Sequence, residues 1–376
     1  MAGVKEKKVE LIELFYDLIY VYAVSRLTML IEEPENGIIP VMGFLRYLVV
    51  CFVILQAWLY LTNYVNRYGT WTWYEYALTA VNMTAAVYMA NTISADWNGM
   101  ALTFNLAMLA MLLCVAVLYV IQTRLRPAEA GAAKNSLTNL GIVLCVYLAA
   151  CAAVLLGATD IAIWIDIAAV LAGAFLPFFI RGKFDAGIIS FPHLVERFEL
   201  LTIVTFGEGV VSMTGFFDVR YFTLRPILIF AVILTLYGSY VTQIHYLCEH
   251  HQTARALRLM FSHYFVVIAV NLVTVDLKLL ENPESSHRFT AIMMLCALCM
   301  FYCAIFSDRC YYKSAYRFEA TDGLRSLGIA IAGAAIILAF RDSLYAFLFG
   351  TLFITAGNFA LLLKKYHGGA NGKDYD

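Results

Sequence analysis

Charged residues are scarce in this 376-residue chain, at 14% of the sequence, whereas hydrophobic residues make up 62%. A soluble domain carries about 25% charged and about 45–50% apolar residues. The shortage of charge excludes a soluble globular protein, because one core could not bury so much apolar surface. The 27 Asp and Glu nearly cancel the 26 Lys and Arg, so the chain offers no basic face for nucleic acid. The composition predicts an all-α polytopic membrane protein.

The motifs of soluble enzymes are missing as well. The sequence has no Walker loop, no dinucleotide-binding glycine motif, no His-Glu-x-x-His and no Gly-x-Ser-x-Gly. The nine cysteines lie mostly in apolar runs and predict packing thiols rather than a disulfide scaffold. A set that resembles metal ligands by type falls at a predicted helix end, where polar residues are common: His245, Cys248, Glu249, His250 and His251. We therefore expect no enzymatic activity, no cofactor and no bound metal.

Long apolar runs are what the sequence has in abundance. A membrane-spanning helix needs about 20 mainly apolar residues. Twelve runs meet this need: 9–32, 38–64, 72–94, 100–122, 136–157, 159–180, 193–215, 222–248, 254–280, 288–307, 324–340 and 343–363. If the amino terminus is cytoplasmic, Lys and Arg in the cytoplasmic segments outnumber those on the opposite side by three to one. The sequence thus predicts a multi-pass protein of the cell (inner) membrane, with both termini in the cytoplasm.

The first and seventh runs resemble each other and indicate an internal repeat. Glu-Leu-Phe at 13–15 is matched by Glu-Arg-Phe at 196–198, each near the start of an unusually charged run. Six spans is an even number, so two such halves have the same orientation and the repeat is parallel. We therefore predict two six-helix repeats, residues 1–184 and 185–376, in one integrated membrane domain.

A few charged residues fall inside predicted spans, where a charge at mid-bilayer costs about 2.5–3.5 kcal/mol. In the first span Glu10, Glu13 and Asp17 share one helix face, so three carboxylates form a stripe. Arg26 lies on the opposite side of this span, nearer the outer leaflet. The seventh span carries Glu196, Arg197, Glu199 and Glu208.

The repeat offset places Arg26 and Glu208 at nearly the same depth, which predicts an ion pair between them. His263 is a candidate proton relay, and Asp166 and Asp276 fall toward the outer half of their spans. Acids outnumber bases in the whole set, which favours a pathway for cations or protons. Alternatively, buried ion pairs fix the helix register and transport nothing.

Two of the charged segments resemble the signatures of a known family. The segments 13–28 (ELFYDLIYVYAVSRLT) and 193–208 (HLVERFELLTIVTFGE) look like the two hallmarks of the bacterial low temperature requirement protein A family. Trp58 to Gly69 resembles its second-span segment, and Ser262-His263-Tyr264 followed by Asp276 resembles its histidine helix. Further positions that support the resemblance are Phe15, Asn66, Arg67 and His193. The resemblance implies an integral membrane protein linked to growth in the cold.

A more distant similarity is to the lysosomal and bacterial potassium channels built from six-span repeats. Phe15 and Asp17 have the spacing of the Phe-Ser-Asp signature in the first helix of those channels, with Tyr16 in place of the serine. That similarity implies a shared six-span-repeat fold. From the buried acids of the first and seventh helices we predict a channel or transporter coupled to monovalent cations or protons. A lipid-handling or lipid-binding membrane protein or enzyme, and a membrane sensor or scaffold, are the alternatives.

The partners predicted for the chain are membrane lipids. Small residues four apart, such as Gly328 and Ala332, permit close helix contact. Such contacts can form within one chain or between two, so a self-contained protein and a homodimer both stay open.

Overall fold

The computed structural model describes residues 6–94, 96–127, 130–179, 186–217, 220 and 222–371. The described residues form twelve α-helices, each of which overlaps one predicted run, so the all-α prediction is confirmed. The helices are α1 (Leu11–Thr28), α2 (Val41–Tyr68), α3 (Trp73–Thr92), α4 (Trp97–Leu125), α5 (Ala130–Leu155), α6 (Thr159–Phe179), α7 (Phe191–Met213), α8 (Leu224–Val241), α9 (Leu257–Leu279), α10 (His287–Ser307), α11 (Ala320–Ala339) and α12 (Leu344–Asn371).

Ten helices in the described part of the chain are long and apolar enough to cross a membrane. The chain is therefore a multi-pass membrane protein. The other two helices, α3 and α7, are long enough but too polar to be included. Glu196, Arg197, Glu199 and Glu208 all fall within the 23 residues of α7. That α3 and α7 cross the membrane stays a prediction.

Local chemistry explains the helix ends near the site. At the start of α1 the backbone N–H of Glu10 donates to Glu13 Oε1 at 3.3 Å, and a carboxylate is favourable at this end of a helix. At the end of α2 Lys7 Nζ donates to the Gly69 carbonyl at 2.9 Å, where a cation is favourable. Gly157, with φ of +81°, separates α5 from α6, since glycine adopts this left-handed conformation at low cost.

The chain divides into two compact units. The first contains the described residues of 1–31, 40–197 and 253–255, and the second contains those of 32–39, 198–252 and 256–376. In the first unit, α3 packs on α1 and α4, and α5 packs on α4 and α6. In the second, α9 packs on α10, and α12 packs on α8 and α11. The predicted boundary at residues 184 and 185 lies outside the described residues, and the parallel repeat stays a prediction.

Candidate functional site

Two helices of the first unit, α1 and the start of α7, each present a pair of polar side chains one turn apart. Glu13 and Asp17 lie on α1, and His193 and Arg197 lie on α7. The i, i+4 spacing places both members of a pair on the same helix face. All four residues are buried, with at most 2% of their surface exposed. The four side chains meet in one place, and we name them the ionic cluster.

Arg197 is the centre of the ionic cluster. Its Nη1 donates to Glu13 Oε2 at 2.6 Å, and its Nη2 donates to Asp17 Oδ1 at 2.5 Å. The planar guanidinium has several donors in a fixed fork, so one side chain can hold two acids. Charge-assisted hydrogen bonds of this kind are roughly twice as strong as neutral ones. Arg197 therefore joins the start of α7 to two successive turns of α1.

An aromatic side chain of α2 contacts both an acid and the base of the ionic cluster. Trp58 is fully buried, and its Nε1 donates to Asp17 Oδ1 at 2.7 Å. Its ring centroid lies 5.4 Å from Arg197 Cζ, within the range of a cation–π contact. Trp58 thus shields the ion pair between Arg197 and Asp17 on the side of α2.

Asn66, also on α2, fixes the protonation of His193. The backbone N–H of Ser190 donates to Asn66 Oδ1 at 3.2 Å, and Asn66 Nδ2 donates to the Ser190 carbonyl at 2.8 Å. Asn66 Nδ2 also lies 3.0 Å from His193 Nδ1, which must accept because an amide nitrogen only donates. His193 Nε2 therefore carries the proton and donates to Glu13 Oε2 at 3.0 Å. In this arrangement His193 is neutral.

The ionic cluster holds more negative than positive charge. Two carboxylates face one guanidinium, and the neutral His193 adds no positive charge. Asp17 Oδ2 and Arg197 Nε are buried and have no hydrogen-bond partner in the part of the chain that the structure describes. The excess charge and the unpartnered oxygen both indicate that Asp17 has capacity for a proton.

A row of buried polar groups continues along α1 beside the ionic cluster. The hydroxyl oxygens of Tyr16 and Tyr20 are 2.8 Å apart, and the Tyr16 hydroxyl donates to Asn82 Oδ1 at 3.1 Å. Asn82 Nδ2 in turn donates to the carbonyl of Met111 at 3.0 Å. Because Tyr16 gives its hydrogen to Asn82, Tyr20 is the donor to Tyr16. The row links α1 through α3 to α4.

The other predicted acids of α1 and α7 are less buried. Glu10 is exposed, so the predicted stripe of three acids divides into one exposed and two buried members. Glu196 is exposed too, and Glu199 Oε1 lies 3.2 Å from His245 Nδ1. Burial and pairing therefore single out the two acids of the ionic cluster.

Arg26 and Glu208 each have contacts within their own unit. Arg26 Nη2 donates to the carbonyl of Ile93 at 3.0 Å. Ser212 Oγ donates to Glu208 Oε1 at 3.5 Å, one turn along α7. The predicted ion pair between Arg26 and Glu208 stays a prediction.

The four positions that support the family resemblance differ in their surroundings. Asn66 and His193 belong to the site itself. Phe15 is 58% exposed on α1, as expected of a side chain that faces lipid. Arg67 Nη1 donates to Ser136 Oγ at 3.2 Å and so connects α2 to α5.

The second unit contains a buried network around His263. Its Nδ1 lies 2.7 Å from the Leu259 carbonyl and its Nε2 lies 2.9 Å from the Tyr240 hydroxyl. A carbonyl only accepts, so Nδ1 carries a proton, and in the neutral ring Nε2 then accepts from the Tyr240 hydroxyl. Ser262 Oγ lies 2.7 Å from Asp308 Oδ2 and 3.3 Å from His263 Nδ1, and a protonated Nδ1 cannot act as its base. Sequence reasoning missed Asp308, because a polar residue just after a helix end is ordinary.

Asp276, the remaining predicted acid, lies on α9. Within the described residues both of its carboxylate oxygens are buried and have no hydrogen-bond partner. Most of the other residues of α9 are buried as well. Asp276 is therefore a fully buried acid.

The histidines that resemble metal ligands by residue type make other contacts. His245 faces Glu199, and His250 Nε2 lies 2.8 Å from the Ile244 carbonyl. Among the residues that the structure describes, no three His, Cys, Asp or Glu side chains are placed to hold a metal ion.

Comparison with known protein families gives a match over nearly the whole chain. Residues 8–360 match the family described as bacterial low temperature requirement A protein (LtrA). The matched range includes every residue of the ionic cluster. No curated protein and no solved structure matches the chain.

Proposed function

The chain belongs to the bacterial low temperature requirement A protein family, and from that premise we propose that it is a channel or transporter coupled to protons or monovalent cations. In this proposal the ionic cluster binds the transported charge. The protein lies in the cell membrane with both termini in the cytoplasm, surrounded by membrane lipids. The family's name refers to low temperature, and a role in growth in the cold is part of the proposal.

One observation supports the proposal above all: the ionic cluster has two buried carboxylates for one buried guanidinium. Taking a charge out of water costs several kcal/mol even after relaxation, so the excess negative charge favours a compensating cation. We assign that cation to Asp17 Oδ2, which is buried and lacks a partner among the described residues. A proton suits this oxygen best, because the neighbouring Trp58 and Arg197 are donors and cannot ligate a metal cation.

Protonation of Asp17 changes the contacts of Arg197. While both acids are ionised, the guanidinium is shared between Glu13 and Asp17. Once Asp17 is neutral its charge-assisted bond to Arg197 weakens, whereas the bond to Glu13 keeps its strength. Proton binding thus favours a shift of Arg197 toward Glu13 and a change in how α7 meets α1. A transporter needs such a link between its ligand and its conformation.

The same contacts are also compatible with a purely structural role, in which ion pairs fix the register of α1 and α7. The two roles differ in what Asp17→Asn would do. A structural role predicts a change in stability alone. Transport predicts that the folded variant loses ion flux.

Purified protein in lipid vesicles tests the proposal. We expect wild-type vesicles to dissipate an imposed H⁺ gradient faster than protein-free vesicles, and parallel assays with K⁺ and Na⁺ establish the selectivity. Asp17→Asn keeps the shape of the side chain and is expected to remove the flux. Glu196→Gln, an exposed acid on α7, is the matched control. Background flux of wild-type protein for all three ions would contradict the proposal.

A second candidate function, lipid handling, has one observation in its favour. The surface of α5 carries an open groove lined by small and apolar residues, which include Gly141, Ile142, Cys145 and Ala149. Such a groove suits the acyl chain of a membrane lipid. Transbilayer movement of a fluorescent phospholipid in the same vesicles, without ion flux, would favour this function over transport.

A further inference from the structure

The first unit contains another buried acid, Asp166 on α6. Asp166 and Asn105 of α4 are both fully buried, and Asn105 Nδ2 donates to Asp166 Oδ2 at 3.3 Å. Among the described residues no lysine or arginine pairs with Asp166. An ionised Asp166 would be an uncompensated charge inside the membrane, at a cost of about 2.5–3.5 kcal/mol on insertion scales.

The orientation of the Asn105 amide follows from a second hydrogen bond. Asn105 Nδ2 also donates to the Ala101 carbonyl at 2.9 Å, so both of its hydrogens are used. In the described part of the chain, two buried oxygens then have no partner: Asp166 Oδ1 and Asn105 Oδ1. While Asp166 is ionised both oxygens are acceptors, so neither can satisfy the other.

One proton would give both unpartnered oxygens, Asp166 Oδ1 and Asn105 Oδ1, a hydrogen bond. A hydrogen on Asp166 Oδ1 makes that oxygen a donor, and Asn105 Oδ1 belongs to the amide that already donates to the other carboxyl oxygen. The acid and the amide can then form two hydrogen bonds in opposite directions. The proton also removes the charge, and with it the desolvation penalty of burial.

Two polar groups of a further helix, α5, lie near this acid. Tyr147 of α5 is buried, and both Asp166 and Tyr60 of α2 are within electrostatic reach of its hydroxyl. The Tyr147 and Tyr60 hydroxyls have no hydrogen-bond partner within the described residues. Cys151 of α5 is also within reach of Asp166, and α4 contributes the amide of Asn105. These neighbours of Asp166 are neutral: the Asn105 amide does not titrate, and the Tyr147 phenol and the Cys151 thiol titrate above neutral pH in water.

We propose that Asp166 is a proton-binding site distinct from the ionic cluster, holding its proton at neutral pH against the amide of Asn105. The bond that forms is Asp166 Oδ1–H, and no other covalent bond changes. The site shares no residue with the ionic cluster, so it does not rest on the proposed function.

Infrared spectroscopy of the purified protein in lipid nanodiscs tests this site. A protonated carboxylic acid has a C=O stretching band that a carboxylate lacks. The difference between wild-type and Asp166→Asn spectra at neutral pH is expected to contain one such band. Asn105→Leu removes the hydrogen-bond partner and is expected to shift the band to higher frequency. Asp160→Asn, at an exposed acid on the same helix, is the matched control and should leave this region unchanged.

Identical wild-type and Asp166→Asn spectra in the region of the band would overturn the proposal. If Asp166→Asn does not yield folded protein, Asn105→Leu decides: a shifted band supports the site, and an unchanged spectrum overturns it. The experiment does not read ion flux. A failure of the proposed transport and a failure of the Asp166 site are therefore distinguishable.

Discussion

Arg197 is the residue on which the ionic cluster depends most. Its guanidinium contacts two carboxylates and an aromatic face while it is almost fully buried. Removing one partner of a buried ion pair leaves an uncompensated charge, at a typical cost of about 3–5 kcal/mol, whereas removing all the charges together is often neutral. The charges of the cluster should therefore behave as one unit.

We expect Arg197→Met to lower the free energy of unfolding by about 3–5 kcal/mol, because Glu13 and Asp17 would keep their buried charges without a base. Adding Glu13→Gln and Asp17→Asn to the same protein is expected to recover most of that loss. Thermal unfolding in detergent measures both effects, and Glu196→Gln serves as the exposed control on α7. Equal melting temperatures for wild type and Arg197→Met would show that the stability of the protein does not depend on the ion pairs of Arg197.

The hydrogen bonds of Asn66 predict a neutral His193 with its proton on Nε2. Asn66→Asp replaces the amide nitrogen with an oxygen that only accepts, so His193 Nδ1 must gain a proton to keep the contact. We expect ¹⁵N-histidine NMR to show the neutral Nε2–H form in the wild type and a cationic ring in Asn66→Asp. Asn63→Asp, one turn earlier on α2, is the matched control. A cationic wild-type ring would show that the assigned tautomer is wrong.

The sequence identified which charges are unusual but not which of them meet. Glu13, Asp17 and Arg197 were predicted as buried polar residues from their place in apolar runs, and the structure buries all three. Their pairing depends on how α1 and α7 pack, which no local pattern encodes. The matching i, i+4 spacing of Glu13/Asp17 and His193/Arg197 is the one local pattern in the sequence that indicates two complementary helix faces.

At the scale of helices, the length of apolar runs was a reliable guide. Even the pair 136–157 and 159–180, split by a short connection, proves to be two helices on either side of Gly157. Helix α3 is more polar than its place among the predicted apolar runs implied. Glu75 accepts from the backbone N–H groups of Thr70 and Thr72 at 3.2 and 2.7 Å. Its charge therefore caps the start of α3, a role that hydropathy does not reveal.

Close packing of α11 and α12 depends on Gly333, a position that the four-residue spacing pattern did not indicate. An added Cβ at Gly333 would collide with the Ile354 side chain and lie 2.9 Å from the Gly350 carbonyl oxygen, whereas at Gly328 it would meet no atom within 4 Å. We expect Gly333→Ala to destabilise the protein by about 1–3 kcal/mol. Gly328→Ala should be neutral or slightly stabilising, since alanine favours helix. Thermal unfolding of both variants measures the difference, and the reverse order would contradict it.

At the scale of the whole molecule, the charges form two populations. Most Lys and Arg lie near helix ends and carry the positive-inside signal, while a few acids and Arg197 are buried within helices. The near-zero net charge of the chain hides this division. The low charge and high apolar content predicted a membrane protein. Composition says nothing of the ion that we propose is transported, because binding of an ion depends on the geometry of a few buried groups.

The predicted orientation places the α9–α10 connection outside the cell and the α10–α11 connection in the cytoplasm. In a background without the native cysteines, we expect Glu284→Cys to react with a membrane-impermeant thiol reagent in intact spheroplasts. Arg317→Cys should react only after lysis. Both positions are exposed, so a difference in labelling reports sidedness rather than burial. The opposite pattern would reverse the orientation.

Proton flux through Asp17 variants tests the role of the ionic cluster most directly. In vesicles with a valinomycin-imposed, inside-negative potential, wild-type protein is expected to acidify the lumen faster than protein-free vesicles do. Glu196→Gln should retain this flux, and folded Asp17→Asn should fall to the protein-free rate. Folded Asp17→Asn that carries wild-type proton flux would contradict the assignment of the transported proton to the ionic cluster.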